Sequence, residues 1–323
     1  MNQTFALAHL SDLHLFSLKG ARLRELLNKR IFGYAAWRLR RHAEHRPKVL
    51  DALLDDLPAA GLDHIVVTGD LTHLSLSDEF RQAARLLRRL GSPWQVTVIP
   101  GNHDTYVPSR GGRALALWQE YMVSDEPSAS KRNSRPVFPS LRRRGPIAFI
   151  GVSSAHPNNP LLAVGSIGQG QLQKLAQILA ETGREGLFRV VLIHHPPVSG
   201  VVVARKRLTD AAAFRSVLAR HGAELILHGH AHHRSLSQLT TPAGRVPVIG
   251  VPSATAVGRK PQRRACYHVY RITPHPPGWR VYLAVRGFSP AQERFVAEEG
   301  ASRQMQIRSP HRPPGVGDEI ESP

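Results

Sequence analysis

The chain has 323 residues, 41% of them hydrophobic and 6% aromatic, so it can bury a large and mainly aliphatic core. A formal charge of +19 and a pI of about 11.2 favour anionic partners: phosphates, nucleic acid or an acidic membrane surface. One cysteine, Cys266, excludes an internal disulfide, and the lack of an apolar run of about 18 residues excludes a membrane-spanning helix.

The start, Met1-Asn2-Gln3-Thr4, lacks the charged and apolar stretches of a signal peptide. The expected location is cytoplasmic, with peripheral attachment to the inner face of the membrane left open. Phe5–Leu10 predicts a strand that leads to Ser11-Asp12-Leu13-His14. Residues 19–48 carry ten Lys or Arg against two Glu. Leu23, Leu26, Leu27, Ile31, Tyr34 and Trp37 recur there at helical spacing, and Gly33 is expected to weaken or break that helix. Pro47 restarts a helix with Val49, Leu50, Leu53, Leu54 and Leu57 on one face. His64–Val67 predicts a strand before Thr68-Gly69-Asp70. Ser77, Asp78 and Glu79 read as a helix start, and Gly91 as its end. Val96 to Ile99 is a strand whose Pro-Gly end delivers Gly101-Asn102-His103-Asp104. This strand, helix, strand rhythm implies a largely parallel sheet.

Leu115, Trp118 and Met122 suit a short helix, and residues 124–146 read as a surface loop rich in Ser, Pro and Arg. Ile147 to Ile150 is a strand, and residues 169–182 a helix. Val190 to Ile193 is a strand that leads to His194-His195-Pro196-Pro197. A helix from about Thr209 to Gly222 precedes the strand Leu225 to Leu227, which ends in His228-Gly229-His230-Ala231-His232. Later strands, at residues 246–249, 267–272 and 279–285, are joined by turns, which predicts an antiparallel second half of the sheet. The expected division is one domain over residues 1–300, with a basic amphipathic insertion at 19–48, and a disordered tail over 301–323.

Asp12, His14, Asp70, Asn102, His194, His230 and His232 are metal-ligand types, and each follows a short apolar run. Asp12 and His14 are two apart, as are His230 and His232. In an extended segment such a pair points one way and can grip one ion. Mixed imidazole and carboxylate ligands suit Mn, Fe, Zn, Co or Ni better than Ca or Mg. Seven ligands exceed the need of one such ion and suit two, spaced about 3.5–4 Å and sharing a carboxylate.

In chain order, Asp12-x-His14, Gly69-Asp70, Gly101-Asn102-His103-Asp104, His194-His195 and Gly229-His230-x-His232 resemble the five blocks of the calcineurin-like metallophosphoesterases. The resemblance implies a four-layer α/β/β/α sandwich with mixed sheets around a dinuclear site at strand ends. It implies that Asp12, His14 and His232 hold one ion, that Asn102, His194 and His230 hold the other, and that Asp70 bridges. The ions would be two divalent transition metals, Mn first and Fe, Zn or Co as alternatives. The first of the adjacent histidines is the family's usual ligand, and the sequence leaves a swap to His195 open. In similar enzymes the residue matching His103 stabilises the transition state or protonates the leaving group. Asp104 or Asp70 is the expected carboxylate that orients it, with a turn role as the alternative for Asp104. The activity implied is hydrolysis of a phosphodiester or diphosphate by hydroxide formed at the two ions.

A second resemblance covers Leu27-Asn28-Lys29-Arg30-Ile31-Phe32-Gly33, Trp37, Arg41 and residues 72–80. These are similar to the matching segments of UDP-2,3-diacylglucosamine pyrophosphatases of the chlamydial type, enzymes of lipid A biosynthesis. It implies a phosphate-containing small-molecule or lipid-nucleotide substrate and peripheral contact with an anionic membrane. A soluble cyclic-nucleotide phosphodiesterase is the main alternative. A nuclease is disfavoured by dispersed positive charge, so nucleic acid is not an expected partner. A non-catalytic scaffold is disfavoured by the intact ligand blocks.

Overall fold

In chain order the strands are β1 (Phe5–Leu10), β2 (His64–Val67), β3 (Val96–Val98), β4 (Ser140–Arg144), β5 (Ile147–Val152), β6 (Phe188–Ile193), β7 (Leu225–His228), β8 (Ser235–Thr241), β9 (Gly244–Gly250), β10 (Cys266–His275), β11 (Gly278–Ser289), β12 (Arg294–Ala297) and β13 (Arg303–Arg308). The helices are α1 (Leu23–Leu26), α2 (Arg30–Leu39), α3 (Pro47–Asp56), α4 (Ser77–Leu90), α5 (Gln169–Arg184) and α6 (Ala211–His221). The computed structural model describes residues 3–14, 18, 23–39, 44–108, 115–125, 137–242, 244–258 and 260–308.

One sheet has the order β12-β11-β10-β1-β2-β3, with β13 also on β11; the other has the order β4-β5-β6-β7-β9-β8. Their parallel centres are β1-β2-β3 and β5-β6-β7-β9. Alternate side chains of each central strand go to opposite faces. Leu7, Val66, Phe149, Val190, Leu192 and Leu227 meet in the layer between the sheets. Ala8, Leu10, Ile65, Val67, Val96 and Val98 face α3 and α4. Val152, Val191, Ile193 and Ile226 face α5 and α6. The result is the expected α/β/β/α sandwich with two mixed sheets. Strands buried on both faces read as continuous apolar runs, which is why they were visible in the sequence.

Four local expectations change. Gly33 lies inside α2, and the helix break falls at residues 27–29. Asn28 Oδ1 accepts the Arg30 amide at 2.9 Å and starts α2 there. A Cβ on Gly33 would collide with Leu74 and lie 2.9 Å from the Tyr106 hydroxyl, so glycine permits a close approach. Residues 140–144, expected in a loop, form edge strand β4 with Arg142 and Arg144 buried. Arg142 Nη1 donates to the Val96 carbonyl at 2.7 Å, and Arg144 Nη1 to both Asp125 oxygens at 2.9 Å. These partners make an arginine-rich strand burial-tolerant. The antiparallel second half splits: β8 and β9 extend one sheet, β10 to β13 the other, and β9 pairs with β7 in parallel. Residues 303–308 of the expected tail pair with β11 as β13, and residues 309–323 lie outside the described residues.

Candidate metal centre

Five loops at the carboxyl ends of β1, β2, β3, β6 and β7 meet, the usual ligand position in α/β sheets. The first two are stitched together: the Asp12 amide donates to the Gly69 carbonyl at 2.9 Å and the His14 amide to the Asp70 carbonyl at 3.0 Å. Ser253 Oγ donates to the Asp12 carbonyl at 2.6 Å, and Thr255 Oγ1 to that of Leu13 at 2.7 Å. Asp12, His14, Asp70, His230 and His232 all have φ between 42° and 66°. Left-handed backbone is costly for such residues, and its concentration here marks a functional site. Gly69, at φ 98°, admits no side chain: a Cβ would lie 2.5 Å from the Gly101 nitrogen.

Ligand atoms of Asp12, His14, Asp70 and His232 lie within 4.8 Å of one another, and so do those of Asp70, His194 and His230. Asp70 belongs to both groups. Asn102 Oδ1 lies 3.1 Å from His194 Nε2, beside the second group. His230 and His232 therefore serve different groups. The expectation that each i, i+2 pair grips one ion is corrected for them, because the segment turns in left-handed conformation rather than running extended. Of the two adjacent histidines, His194 faces the cluster and His195 faces away from it. His195 Nδ1 is 2.8 Å from Ser154 Oγ and its Nε2 3.2 Å from the Ala163 carbonyl, whereas His194 spends Nδ1 on the Thr68 carbonyl at 2.7 Å and turns Nε2 to Asp70 at 3.3 Å.

The donor set fits two transition-metal cations. Asp12 Oδ1 and Asp70 Oδ2 are buried without a hydrogen bond. Their neighbours are ring nitrogens, His232 Nε2 at 3.1 Å and His194 Nε2 at 3.3 Å. Buried carboxylate oxygens left in that way call for cationic partners. Burial, followed by the surrounding imidazoles, holds His14 and His230 well below the usual histidine range, which keeps them neutral as ligation requires. Burial opposes ionisation of Asp70, but His194 and His103 beside it more than offset this and hold it low. Burial likewise opposes charge on His194, and Asp70 overrides it, pushing it up to about 9.

His103 stands next to both groups. Its amide donates to Asp70 Oδ1 at 2.7 Å, and its ring centroid is 4.9 Å from that of His14. The expected carboxylate partner is corrected: the ring donates through Nδ1 to the His73 carbonyl at 2.6 Å. Asp104, expected to be catalytic, is instead the tie of the loop. Its Oδ2 accepts the amides of Asp70 and Gly101 at 2.8 and 2.9 Å, and its Oδ1 the Thr72 amide at 2.9 Å and hydroxyl at 3.1 Å. Burial and the charge of Asp70 push its carboxyl up to about 7.

Sequence reasoning missed His73 and His45, whose rings lie 4.7 and 4.9 Å from that of His14. It also missed a clamp on residues 73–76. Glu79 accepts the amides of His73, Leu74 and Leu76 at 2.6, 3.0 and 2.9 Å, while Arg30 donates to the carbonyls of Leu74 and Ser75 at 2.8 and 2.5 Å. The only sequence signal was a Glu three residues into a helix.

No curated protein matches the chain significantly in sequence. A dimetal phosphatase from Danio rerio superposes with a TM-score of 0.58 at 15% identity, over 91% of this chain and 98% of its own. Purple acid phosphatase PPD1 from yellow lupin (Lupinus luteus) gives 0.61 at 12% identity, over 95% of this chain and 54% of its own; the chain thus spans about half the lupin protein's length. At these identities the likeness shows a shared fold. The sequence pattern of the calcineurin-like phosphoesterases matches residues 5–234, which include all five ligand-bearing loops. The chain belongs to the calcineurin-like phosphoesterases.

Proposed function

We propose that the protein is a dinuclear metal-dependent phosphohydrolase that opens a phosphodiester or diphosphate bond. The observation that carries this is the position of Asp70 in two adjoining ligand groups. Asp12, His14, His232 and Asp70 would hold one cation; Asp70, Asn102, His194 and His230 the other. When bound, two divalent cations supply the charge that activates water and orients phosphorus for in-line attack. His103, with Nδ1–H committed to the His73 carbonyl, exchanges protons through Nε2 and serves the departing oxygen. Asp104 and Glu79 keep the loops that carry these groups in register. The test is hydrolysis of bis(4-nitrophenyl) phosphate with added Mn, together with metal analysis. About two ions per chain and loss of activity in Asp70→Asn are expected. A metal count near zero with activity surviving strong chelation overturns the reading.

The proposal extends to the membrane surface. Leu27, Ile31 and Phe32 are 79%, 53% and 62% exposed on the α1–α2 segment. Leu161 is 84% exposed with φ 70°, an unfavourable backbone for a leucine presented to solvent. Lys29 Nζ donates to the Asn158 carbonyl at 2.5 Å, which joins the two segments. Exposed apolar side chains on a strongly basic chain suit an anionic bilayer. Within this reading UDP-2,3-diacylglucosamine is the favoured substrate on the likeness of residues 27–41, and a soluble cyclic nucleotide the rival.

A further inference from the structure

A cleft of about 570 Å³ opens beside His232, lined also by Glu44, His45, Lys206, Lys260 and Arg263. Asp12, His14, Asp70, Asn102, His194 and His230 are buried, while the His232 side chain is 30% exposed, so the metal centre meets solvent on the side of this cleft. Three cations reach it from two separate turns, Ala204–Lys206 and Pro261–Arg263 with its preceding Lys260. The first turn is tied to the centre, since the Lys206 carbonyl lies 3.1 Å from His230 Nε2. The side chains of Lys260 and Arg263 make no hydrogen bond or ion pair among the described residues. Glu44, the carboxylate of the lining, is engaged by the Gly258 amide at 3.2 Å. Lys260 and Arg263, unspent beside the metal centre, are placed with Lys206 around room for a second anion on the same substrate.

We infer that Lys206, Lys260 and Arg263 form a second anion subsite, and that the substrate is a diphosphate ester with one phosphate at the metal centre and its neighbour in this cleft. The inference rests on the phosphohydrolase reading above. In such a hydrolysis water oxygen forms one bond to phosphorus and one P–O bond of the P–O–P bridge breaks. The departing phosphate oxygen keeps the bonding electron pair, and the proton of the attacking water passes to solvent or to that oxygen.

The test compares wild type with Lys260→Ala/Arg263→Ala, both exposed positions, on UDP-glucose and on bis(4-nitrophenyl) phosphate. Each lost charge-assisted contact costs about tenfold, so kcat/KM for UDP-glucose should fall about 100-fold, mainly through KM. The aryl diester, with no second anion, should lose at most about threefold. A second readout is calorimetric binding of methylene-bridged ADP, which should weaken in the variant by a similar factor. Equal losses on both substrates show only a general field and overturn the inference. So does a wild type that hydrolyses the aryl diester but neither cleaves UDP-glucose nor binds the analogue, an outcome that leaves the phosphohydrolase reading standing. If wild type hydrolyses neither, that reading fails, and the calorimetry alone decides the subsite: weakened binding in the variant supports it, and unchanged binding overturns it.

Discussion

His103 is oriented by main chain rather than by an acid. The carbonyl of His73 fixes its Nδ1–H, and the Glu79 carboxylate accepts the Leu74 amide of that same peptide at 3.0 Å, so a buried glutamate acts on the ring through one peptide. A neutral carbonyl partner on Nδ1 leaves Nε2 as the ring nitrogen that exchanges protons. His103→Ala should therefore lower kcat about 100-fold or more on an alkyl phosphodiester, and clearly less on a nitrophenyl ester, whose leaving group needs less protonation. Metal content should stay at the wild-type value. Steady-state kinetics on the two esters with metal analysis check this, and equal losses would exclude acid catalysis. Asp104 shows the opposite assignment at the same scale. A carboxylate that accepts four donors, at 2.8 to 3.1 Å, is committed to holding three loop residues and cannot reach a substrate as well.

At the level of elements, α1 and α2 sort their apolar residues into two sets. Leu26, Tyr34 and Trp37 pack with Leu74, Leu76 and Tyr106, so that face is core. Leu27, Ile31 and Phe32 remain outside. Trp37, which recurs at the same helical spacing as Leu27 and Ile31, belongs to the inward set. Arg30 likewise spends its guanidinium on loop carbonyls rather than on a phosphate. A membrane-docking test must therefore replace Leu27, Ile31 and Phe32 with Ser and leave Trp37 alone. The variant should fold with an unchanged melting temperature, because these side chains are already in water. Its co-sedimentation with anionic liposomes should be largely lost, since each buried apolar side chain contributes about 1.5–3 kcal/mol and every 1.4 kcal/mol is about tenfold in partitioning. Binding by wild type should weaken as salt rises without vanishing, because salt screens the basic contribution and not the apolar one. Wild type that stays in the supernatant at low salt would remove the membrane from the proposal.

For the molecule as a whole, buried histidines set the response to acid. Burial, then the Arg144 and Arg142 cations, lowers His64 to about 2; burial, then Arg234, lowers His268 to about 3. Both lie below the usual value near 6.5, so the unfolded chain takes up protons that the folded chain refuses as pH falls below 6.5. Their contribution is constant above pH 6.5 and is lost progressively below it, by about 1.4 kcal/mol per pH unit for each histidine. The urea midpoint should thus be lower at pH 5 than at pH 7, because the lowered histidines, His9 and His228 among them, outnumber the raised carboxyls of Asp104 and Glu79, which act in the opposite sense; equal midpoints would contradict the prediction. His64 also illustrates what a sequence hides. It opens β2 and was read as a strand residue, yet its stacking on Phe149 at 4.4 Å exists only because the two sheets meet, and its contact with Thr97 Oγ1 at 2.8 Å only because β2 lies beside β3. The sequence by itself determined the central strands, α3 to α6 and the places of the seven candidate ligands. Continuous apolar runs, helical periodicity and polar residues at strand ends are local patterns that burial on both faces enforces. Only the tertiary structure decided that His230 and His232 part company, that His194 rather than His195 turns to Asp70, and that Asp104 is a tie. It alone decided that residues 140–144 and 303–308 are strands. Those outcomes depend on partners far along the chain: Val96 and Asp125 for the arginines of β4, β11 for the last strand, and left-handed backbone at five ligands that no local pattern announces.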